Sequence, residues 1–309
     1  MLKVSNISFS YTNEPLIKKM SFSLKEGNFL ALIGESGCGK STLLQLIYGL
    51  HDLDSGTIFW RDEPILGPKS NLVPGMPKMK YLAQDFDLMP YTTVAENVGK
   101  FLSNFYPEEK SNRIKELLEV VEMTAFSNTK VKFLSGGQMQ RIALAKVLAL
   151  EPELLLLDEP FSHIDNFLKN SLRRKIFAYL KEKKISCIIA THDTQDVLSF
   201  CDEVLVMKAG ELVDFGETEE IYKYPSSFYA ASLFGEVNQI NWEEDSLFLY
   251  AHQLEISENS TFEVVVQKNY FKGNSYLIES TLGNQTIFFE NKLEIEPNTR
   301  VGLKIKIDL

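Results

Sequence analysis

Apolar and polar residues alternate from the first positions of the chain. Leu2, Val4, Ile7 and Phe9 predict one half-buried strand and Met20, Phe22 and Leu24 another, with a turn at Lys25-Glu26-Gly27-Asn28. The alternation then gives way to short apolar runs. Phe29-Leu30-Ala31-Leu32-Ile33, Met79 to Ala83, Glu153-Leu154-Leu155-Leu156-Leu157 and Ile185-Ser186-Cys187-Ile188-Ile189-Ala190 read as buried strands, and the four leucines as a strand covered on both faces of a parallel sheet. Asp54 to Thr57 is a turn before a strand, Ile58-Phe59-Trp60. Gly67, Pro68, Pro74, Gly75 and Pro77 mark residues 67–78 as an irregular loop. Val94 to Phe105 and Glu108 to Val121 have helical spacing. In the second of these, Ile114, Leu117, Leu118 and Val121 form one stripe for packing, and Glu108-Glu109 suit the helix N-terminus. Met139 to Leu148 and Asn166 to Glu182 are further helices, and the Lys and Arg residues of the latter read as a solvated face. Val204 to Met207 and Glu211 to Val213 make a hairpin around Ala209-Gly210.

From about Gly235 the pattern changes. Phe262 to Val266, Tyr276-Leu277-Ile278, Thr286 to Phe289 and Val301 to Ile307 are short strands with turn residues between them. They predict a small all-β domain or barrel. It holds no His/Cys metal cluster and no nucleophile motif, so binding or regulation suits it better than catalysis.

Composition sets outer limits. A chain of 309 residues has room for two domains, and 44% apolar with 24% charged residues is the balance of a globular protein. The net charge of −10 argues against nucleic acid as a partner. Three scattered cysteines, Cys38, Cys187 and Cys201, make no disulfide framework and point to a reducing compartment. Met1 to Asn6 lacks the apolar core of a signal peptide, and no window of about 18 uncharged apolar residues could span a bilayer. Any link to a membrane is expected to run through a partner.

The chemistry concentrates at the ends of the buried runs. Gly34-Glu35-Ser36-Gly37-Cys38-Gly39-Lys40-Ser41-Thr42 fits G-x-x-x-x-G-K-[ST], between an apolar strand and the helix start Leu43 to Tyr48. The glycines let the backbone fold so that several N–H groups face one anion, and the helix N-terminus adds positive potential. Lys40 would hold the β- and γ-phosphates of a nucleotide and the Ser41 hydroxyl would ligate Mg²⁺. Asp158 and Glu159 stand at the carboxyl end of the leucine strand, where ligands of open α/β sheets bind. Asp158 would hold Mg²⁺, through water, and Glu159 would orient or deprotonate the attacking water. Thr191-His192-Asp193 follows the next buried run, and His192 could donate to a γ-phosphate. Gln84 ends the strand at Ala83; it is either a metal- or water-binding carbonyl or a surface amide. Tyr11, in the polar loop Ser10 to Asn13, is either an adenine-stacking ring or an ordinary loop aromatic. Leu134-Ser135-Gly136-Gly137-Gln138 is a second glycine-rich turn opening a helix, with Ser135 as cap and N–H groups open to an anion. One nucleotide needs only one such loop. A head-to-tail dimer, each subunit offering its second loop to the nucleotide on its partner's first, accounts for both.

Tyr11, the loop Gly34 to Thr42, Gln84, Leu134 to Gln138, Leu154 to Glu159, Asp165 and His192, in that order, resemble the ATP-binding subunit of an ATP-binding cassette transporter over residues 1 to about 234. The resemblance implies an α/β, RecA-like P-loop NTPase core with an antiparallel β subdomain and a helical subdomain (about 86–150). A small all-β domain of the OB/TOBE kind would follow at 235–309. It implies ATP and Mg²⁺ as cofactors, Tyr11 on adenine and Gln84 sensing Mg²⁺ and meeting the membrane partner. Ser135, Gly137 and Gln138 would bind the opposite subunit's γ-phosphate. Glu159 would be the general base, His192 the γ-phosphate switch, and Asp165 would signal across the dimer. His163 departs from the pattern, which has a small residue or Asn there. Gly216 to Tyr222 and the β-rich tail resemble importers of the spermidine/putrescine, iron(III), sulfate and sugar type, whose tails are barrel-like regulatory domains. The implied partners are a second cassette subunit, the same or different, membrane-spanning permeases and, indirectly, an extracytoplasmic solute-binding protein, with the chain at the cytoplasmic face of the membrane. The rival classes are an exporter ATPase, a DNA-repair or translation-factor cassette, and a P-loop kinase. Only about 50 residues separate Gln84 from the second turn, too few for a repair-type coiled coil.

Overall fold

The computed structural model describes residues 1–242 and 245–306. The chain divides into two units, Met1–Thr218 and Glu219–Leu309.

The first unit begins with β1 (Leu2–Phe9), β2 (Ile17–Leu24), β3 (Phe29–Gly34), α1 (Lys40–Tyr48), β4 (Ser55–Trp60), β5 (Glu63–Pro64) and β6 (Met79–Leu82). It continues with α2 (Val94–Val98), α3 (Pro107–Val120), α4 (Gly136–Leu148), β7 (Leu154–Asp158), α5 (Asn166–Glu182), β8 (Ser186–Ala190), α6 (Thr194–Phe200), β9 (Glu203–Lys208) and β10 (Glu211–Glu217). Two sheets result. One is antiparallel, in the order β2-β1-β4-β5. The other runs β10-β9-β3-β8-β7-β6, parallel except for β10 at its edge. Leu154 to Leu157 are fully buried, as strands covered on both faces require. Leu30, Leu32, Leu154, Leu156 and Ile188 join one core with the inward residues of β1, β2 and α1. This is the α/β arrangement that the alternating and apolar runs foretell. Its consequence for function is the strand order. β3, β8, β7 and β6 are neighbours, so the segments after their carboxyl ends come to one edge of the sheet.

One helix is shorter than the spacing predicts. Val94 to Phe105 was expected to be helical throughout, yet α2 stops at Val98 and Gly99 caps it. The Asn97 amide serves the preceding segment, donating to Met89 O (3.1 Å), Thr92 Oγ1 (2.8 Å) and Thr93 O (2.9 Å) and accepting from Met89 N (2.8 Å). A Cβ on Gly99 would lie 2.7 Å from Ile114 Cδ1, so α3 packs directly on the point where the chain turns. In α3 the expected stripe is inward, with Leu117, Leu118 and Val121 buried.

The second unit holds most of α7 (Thr218–Lys223), then α8 (Phe228–Ser232), β11 (Val237–Trp242), β12 (Asp245–Tyr250), β13 (Leu254–Ile256), β14 (Phe262–Phe271), β15 (Tyr276–Leu282), β16 (Gln285–Asn291) and β17 (Arg300–Ile305). An antiparallel sheet runs β13-β17-β14-β15-β16, with β11 and β12 as a separate hairpin. Ile240, Val264, Val266, Ile278, Phe289 and Leu303 are its core. The unit boundary precedes the change of pattern at Gly235. Tyr222 of α7 stacks on Tyr250 (4.6 Å between centroids) and meets Phe234 edge-on, which ties residues 219–234 to the strands. The last strand was expected to reach Ile307, which lies outside the described residues.

Candidate functional site

Gly34 ends β3 where a Cβ would strike the carbonyl oxygen of Met207 on β9, so only glycine fits. Gly39, in the left-handed region (φ 108°), opens α1 with no side-chain cap. The first N–H groups of α1 are thus left to the loop and to whatever anion it holds. The Lys40 ammonium donates to Gly34 O (2.7 Å) and Glu35 O (2.9 Å), which keeps it over the loop. Cys38, a free position of the motif, is buried and its sulfur accepts from the Lys40 ammonium (3.8 Å).

A cavity of about 330 Å³ opens on this loop, and Ser36, Gly37, Gly39, Lys40, Ser41, Thr42, Gln84, Asp158 and Glu159 are in its wall. Strand neighbours far apart in sequence therefore meet as their order requires. Asp158 is buried and hydrogen-bonded by Ser41 and by Tyr81 Oη (3.3 Å). Burial pushes its carboxyl up, and the two hydroxyl donors oppose that. Burial likewise raises the Tyr81 phenol, with the Asp158 charge adding to it. Ser41, Asp158 and Gln84 offer hydroxyl, carboxylate and amide oxygens, a donor set that suits Mg²⁺, which is usually held by few protein oxygens and the substrate's phosphates.

Glu159 has a left-handed backbone (φ 50°), a strain of roughly 1–3 kcal/mol for a non-glycine residue. Four bonds hold it there: Glu159 N to Ala190 O (2.9 Å), and Glu159 O accepting from Gln140 Nε2 (2.8 Å), Ser162 Oγ (3.0 Å) and Ser162 N (3.2 Å). The turn aims the carboxylate at His192, whose Nδ1 lies 3.0 Å from Oε1 and 2.9 Å from Oε2. An acceptor carboxylate in the cavity wall and an imidazole thus stand side by side.

The segment carrying His192 is fixed from below. Thr191 Oγ1 donates to Asp196 Oδ2 (2.8 Å) and accepts from Asp193 N (3.1 Å), and Arg173 pairs with both Asp193 and Asp196. This corrects the reading of α5 as a solvated basic face at two positions: Arg173 is only 2% exposed, and Lys169 also reaches Asp193 (3.6 Å), whereas Arg174 and Lys175 are exposed as expected. Two carboxylates close to the helix attract Arg173 and Lys169 inward. Burial pushes the Asp196 carboxyl up to about 6, against Arg173 and Thr191, which pull it down. Between about pH 4 and 6 the native carboxyl keeps a proton that the unfolded chain has released. Its contribution to stability therefore falls as pH rises through that window. Urea unfolding of parent and Asp196→Asn over this range should show stability falling with pH in the parent relative to the variant, whose remaining carboxylates are common to both; equal slopes would refute the assignment.

Other expected residues lie elsewhere. Ser135 caps α4 in a reciprocal box with Gln138 (Ser135 N to Oε1, 2.9 Å; Gln138 N to Ser135 Oγ, 3.3 Å). Residues 135–138 are not in the wall of the phosphate-loop cavity. Tyr11 is exposed, its hydroxyl donating to Gln45 Oε1 (3.2 Å) and its ring edge-on to Phe9 at 4.8 Å. Asp165 precedes α5 without a side-chain capping bond. Tyr81, Gln140 and Arg173 escaped the sequence reading. Their one signal is a polar group inside an apolar stretch: Tyr81 in a buried strand, and Arg173 beside Leu172 and Ile176.

A family model described as ABC transporter matches residues 17–162. A spermidine/putrescine import ATP-binding protein of Roseobacter denitrificans is 37% identical over 77% of this chain and 65% of its own length. An Fe(3+) ions import ATP-binding protein of Fusobacterium nucleatum subsp. nucleatum is 30% identical over 99% of this chain and 79% of its own. A dimeric, post-hydrolysis structure of the ATP-binding cassette MJ0796, bound to ADP and Pi, superposes with a TM-score of 0.62 at 27% identity, covering 71% of this chain and 99% of that one. The chain spans about two thirds to four fifths of the length of these curated relatives.

Proposed function

The chain belongs to the ABC transporter family, as an ATP-binding subunit, and from that premise we propose that it hydrolyses ATP to drive solute import through membrane-spanning partners. The observation that carries the reading is the division of its anion-binding elements. The phosphate loop, Gln84, Asp158 and Glu159 share one cavity, while the capped turn Ser135 to Gln138 stands outside it. A second cassette subunit, the same or different, placed head to tail would bring its turn to the γ-phosphate and complete the site.

In this reading Lys40 and the N–H groups from Gly34 to Thr42 bind the phosphates, and Tyr11 stacks on adenine. Ser41, Asp158 and Gln84 hold Mg²⁺, which would neutralise charge on the β- and γ-oxygens. Glu159 takes the proton of the attacking water, and His192 orients that carboxylate and donates to the γ-phosphate. Ser135, Gly137 and Gln138 grip the partner's nucleotide, and Asp165 lies at the joint. ATP closes the pair and loss of the γ-phosphate reopens it, a switch keyed to that group. Import is favoured by the relatives, whose printed names are import proteins for polyamine and for Fe(3+). Those cargoes differ, so the choice of solute is assigned to other chains: the permeases and a solute-binding protein. Among the described residues no helix is long and apolar enough to cross a membrane. The chain would sit at the cytoplasmic face, held by those partners, with its β unit in a regulatory role.

The test is the concentration dependence of phosphate release with Mg²⁺ and ATP. Turnover per chain should climb with chain concentration as pairs form. A strictly monomeric protein with constant specific activity would defeat the two-subunit site.

A further inference from the structure

His163 stands where three functional segments of one subunit meet. Its ring lies edge-on to Phe86, two residues beyond Gln84, with centroids 5.5 Å apart and planes at 81°. Its carbonyl oxygen lies against Gly137: a Cβ there would be 2.7 Å away, so the second turn and this loop are in backbone contact. Its N–H donates to Gln140 Oε1 (3.0 Å), and the same amide's Nε2 donates to Glu159 O (2.8 Å). Gln140 is 2% exposed and spends both ends of its side chain on this bridge. The Nδ1 of His163 is paired with Ser162 Oγ (3.1 Å), whose oxygen also meets Glu159 O (3.0 Å), so the ring has a defined orientation.

The segment that the ring touches is itself constrained. Phe86 (φ 46°) and Asp87 (φ 42°) are consecutive non-glycine residues in the left-handed region, a costly geometry that neighbours must enforce. Lys146 of α4 binds the Asp87 carbonyl and carboxylate, and the His163 ring abuts Phe86. Both anchors belong to parts that also hold the turn at Ser135 to Gln138 or the turn at Glu159.

We propose that His163 is a positioning residue that joins the Gln84 segment to the turn at Ser135 to Gln138 and to the Glu159 turn, keeping the three in register for turnover. This rests on the ATPase reading above and adds a role for the side chain that departs from the family pattern. A small residue at this position would keep the backbone contacts to Gly137 and Gln140 but leave Phe86 without its neighbour.

The test is a double-mutant cycle on Phe86→Leu and His163→Ala, read as kcat and KM for ATP. Each single change should lower kcat about tenfold, since small misplacements of reacting groups are costly, and should leave KM within about twofold. The double variant should be no worse than either single, because both remove one link. His163→Phe, which restores a ring, should recover most of kcat. Additive losses, or a change confined to KM, would overturn the proposal. A second measurement needs no turnover. The imidazole NMR signal of His163 should move in Phe86→Leu while those of His51, His192 and His252 stay put, and in the parent it should shift on adding Mg²⁺ and ATP. A His163 signal indifferent to Phe86 refutes the link. A parent that binds ATP and shows the link without releasing phosphate refutes the ATPase reading instead.

Discussion

Glu159→Gln should lower phosphate release by a factor of at least about 100, the scale on which a positioned general base acts. Nucleotide affinity should be retained. The two side chains have the same length and shape, so the left-handed turn keeps its four backbone bonds and the amide keeps its place beside His192. What disappears is the capacity to accept a proton. The phosphate loop is untouched, because the Lys40 ammonium is fixed by Gly34 and Glu35 and not by Glu159. ATP then binds, closes the subunits and stays. Light scattering with Mg²⁺ and ATP should show a persistent species of twice the mass, where the parent shows a transient one. Hydrolysis by the variant at the parental rate would remove Glu159 from the role, and a variant that stays monomeric with bound ATP would separate closure from nucleotide binding.

The parts legible in the chain were those governed by local rules. Runs such as Leu154 to Leu157 announce a covered strand, and the glycines of the phosphate loop announce a backbone that side chains would block. Gly34 bears this out, since Met207 fills the space that a Cβ would need. The neighbouring placement of Gln84, Asp158, Glu159 and the phosphate loop follows once four buried strands form one parallel sheet. The illegible parts depend on partners remote in sequence. Arg173 reads as one more cation on a charged helix, and only the fold puts Asp193 and Asp196 beneath it. Asn97 ends α2 early because its amide answers Met89 to Thr93, which periodicity does not register. The β11–β12 hairpin was unforeseen for the same reason. Its buried Asn238 breaks the apolar alternation, yet it donates to Phe288 O (2.7 Å) and accepts from Phe288 N (2.7 Å), sewing the hairpin to β16.

Lys40→Ala should weaken Mg²⁺–ATP binding by a factor of about 100 or more, and turnover should fall with it. Among the described residues, the wall of the cavity contains two carboxylates, Asp158 and Glu159, and Lys40 as its one side-chain cation. A triphosphate entering the variant would meet like charge with only backbone N–H groups to offset it. Two charge-assisted contacts, to the β- and γ-oxygens, at about 1.5–3 kcal/mol each correspond to a loss of two or more decades in Kd. The fold should tolerate the change, because Lys40 donates only within its own loop, to the Gly34 and Glu35 carbonyls and the Cys38 sulfur, and its removal opens no cavity in the core. Lys40→Arg separates charge from shape. It restores the positive charge but brings a planar fork to a place where one compact ammonium spans two carbonyls, so it should recover only part of the affinity. Titration with a fluorescent ATP analogue, beside thermal melts of all three proteins, decides the matter. Affinity in Lys40→Ala within about threefold of the parent would mean that the loop binds phosphate through its backbone alone.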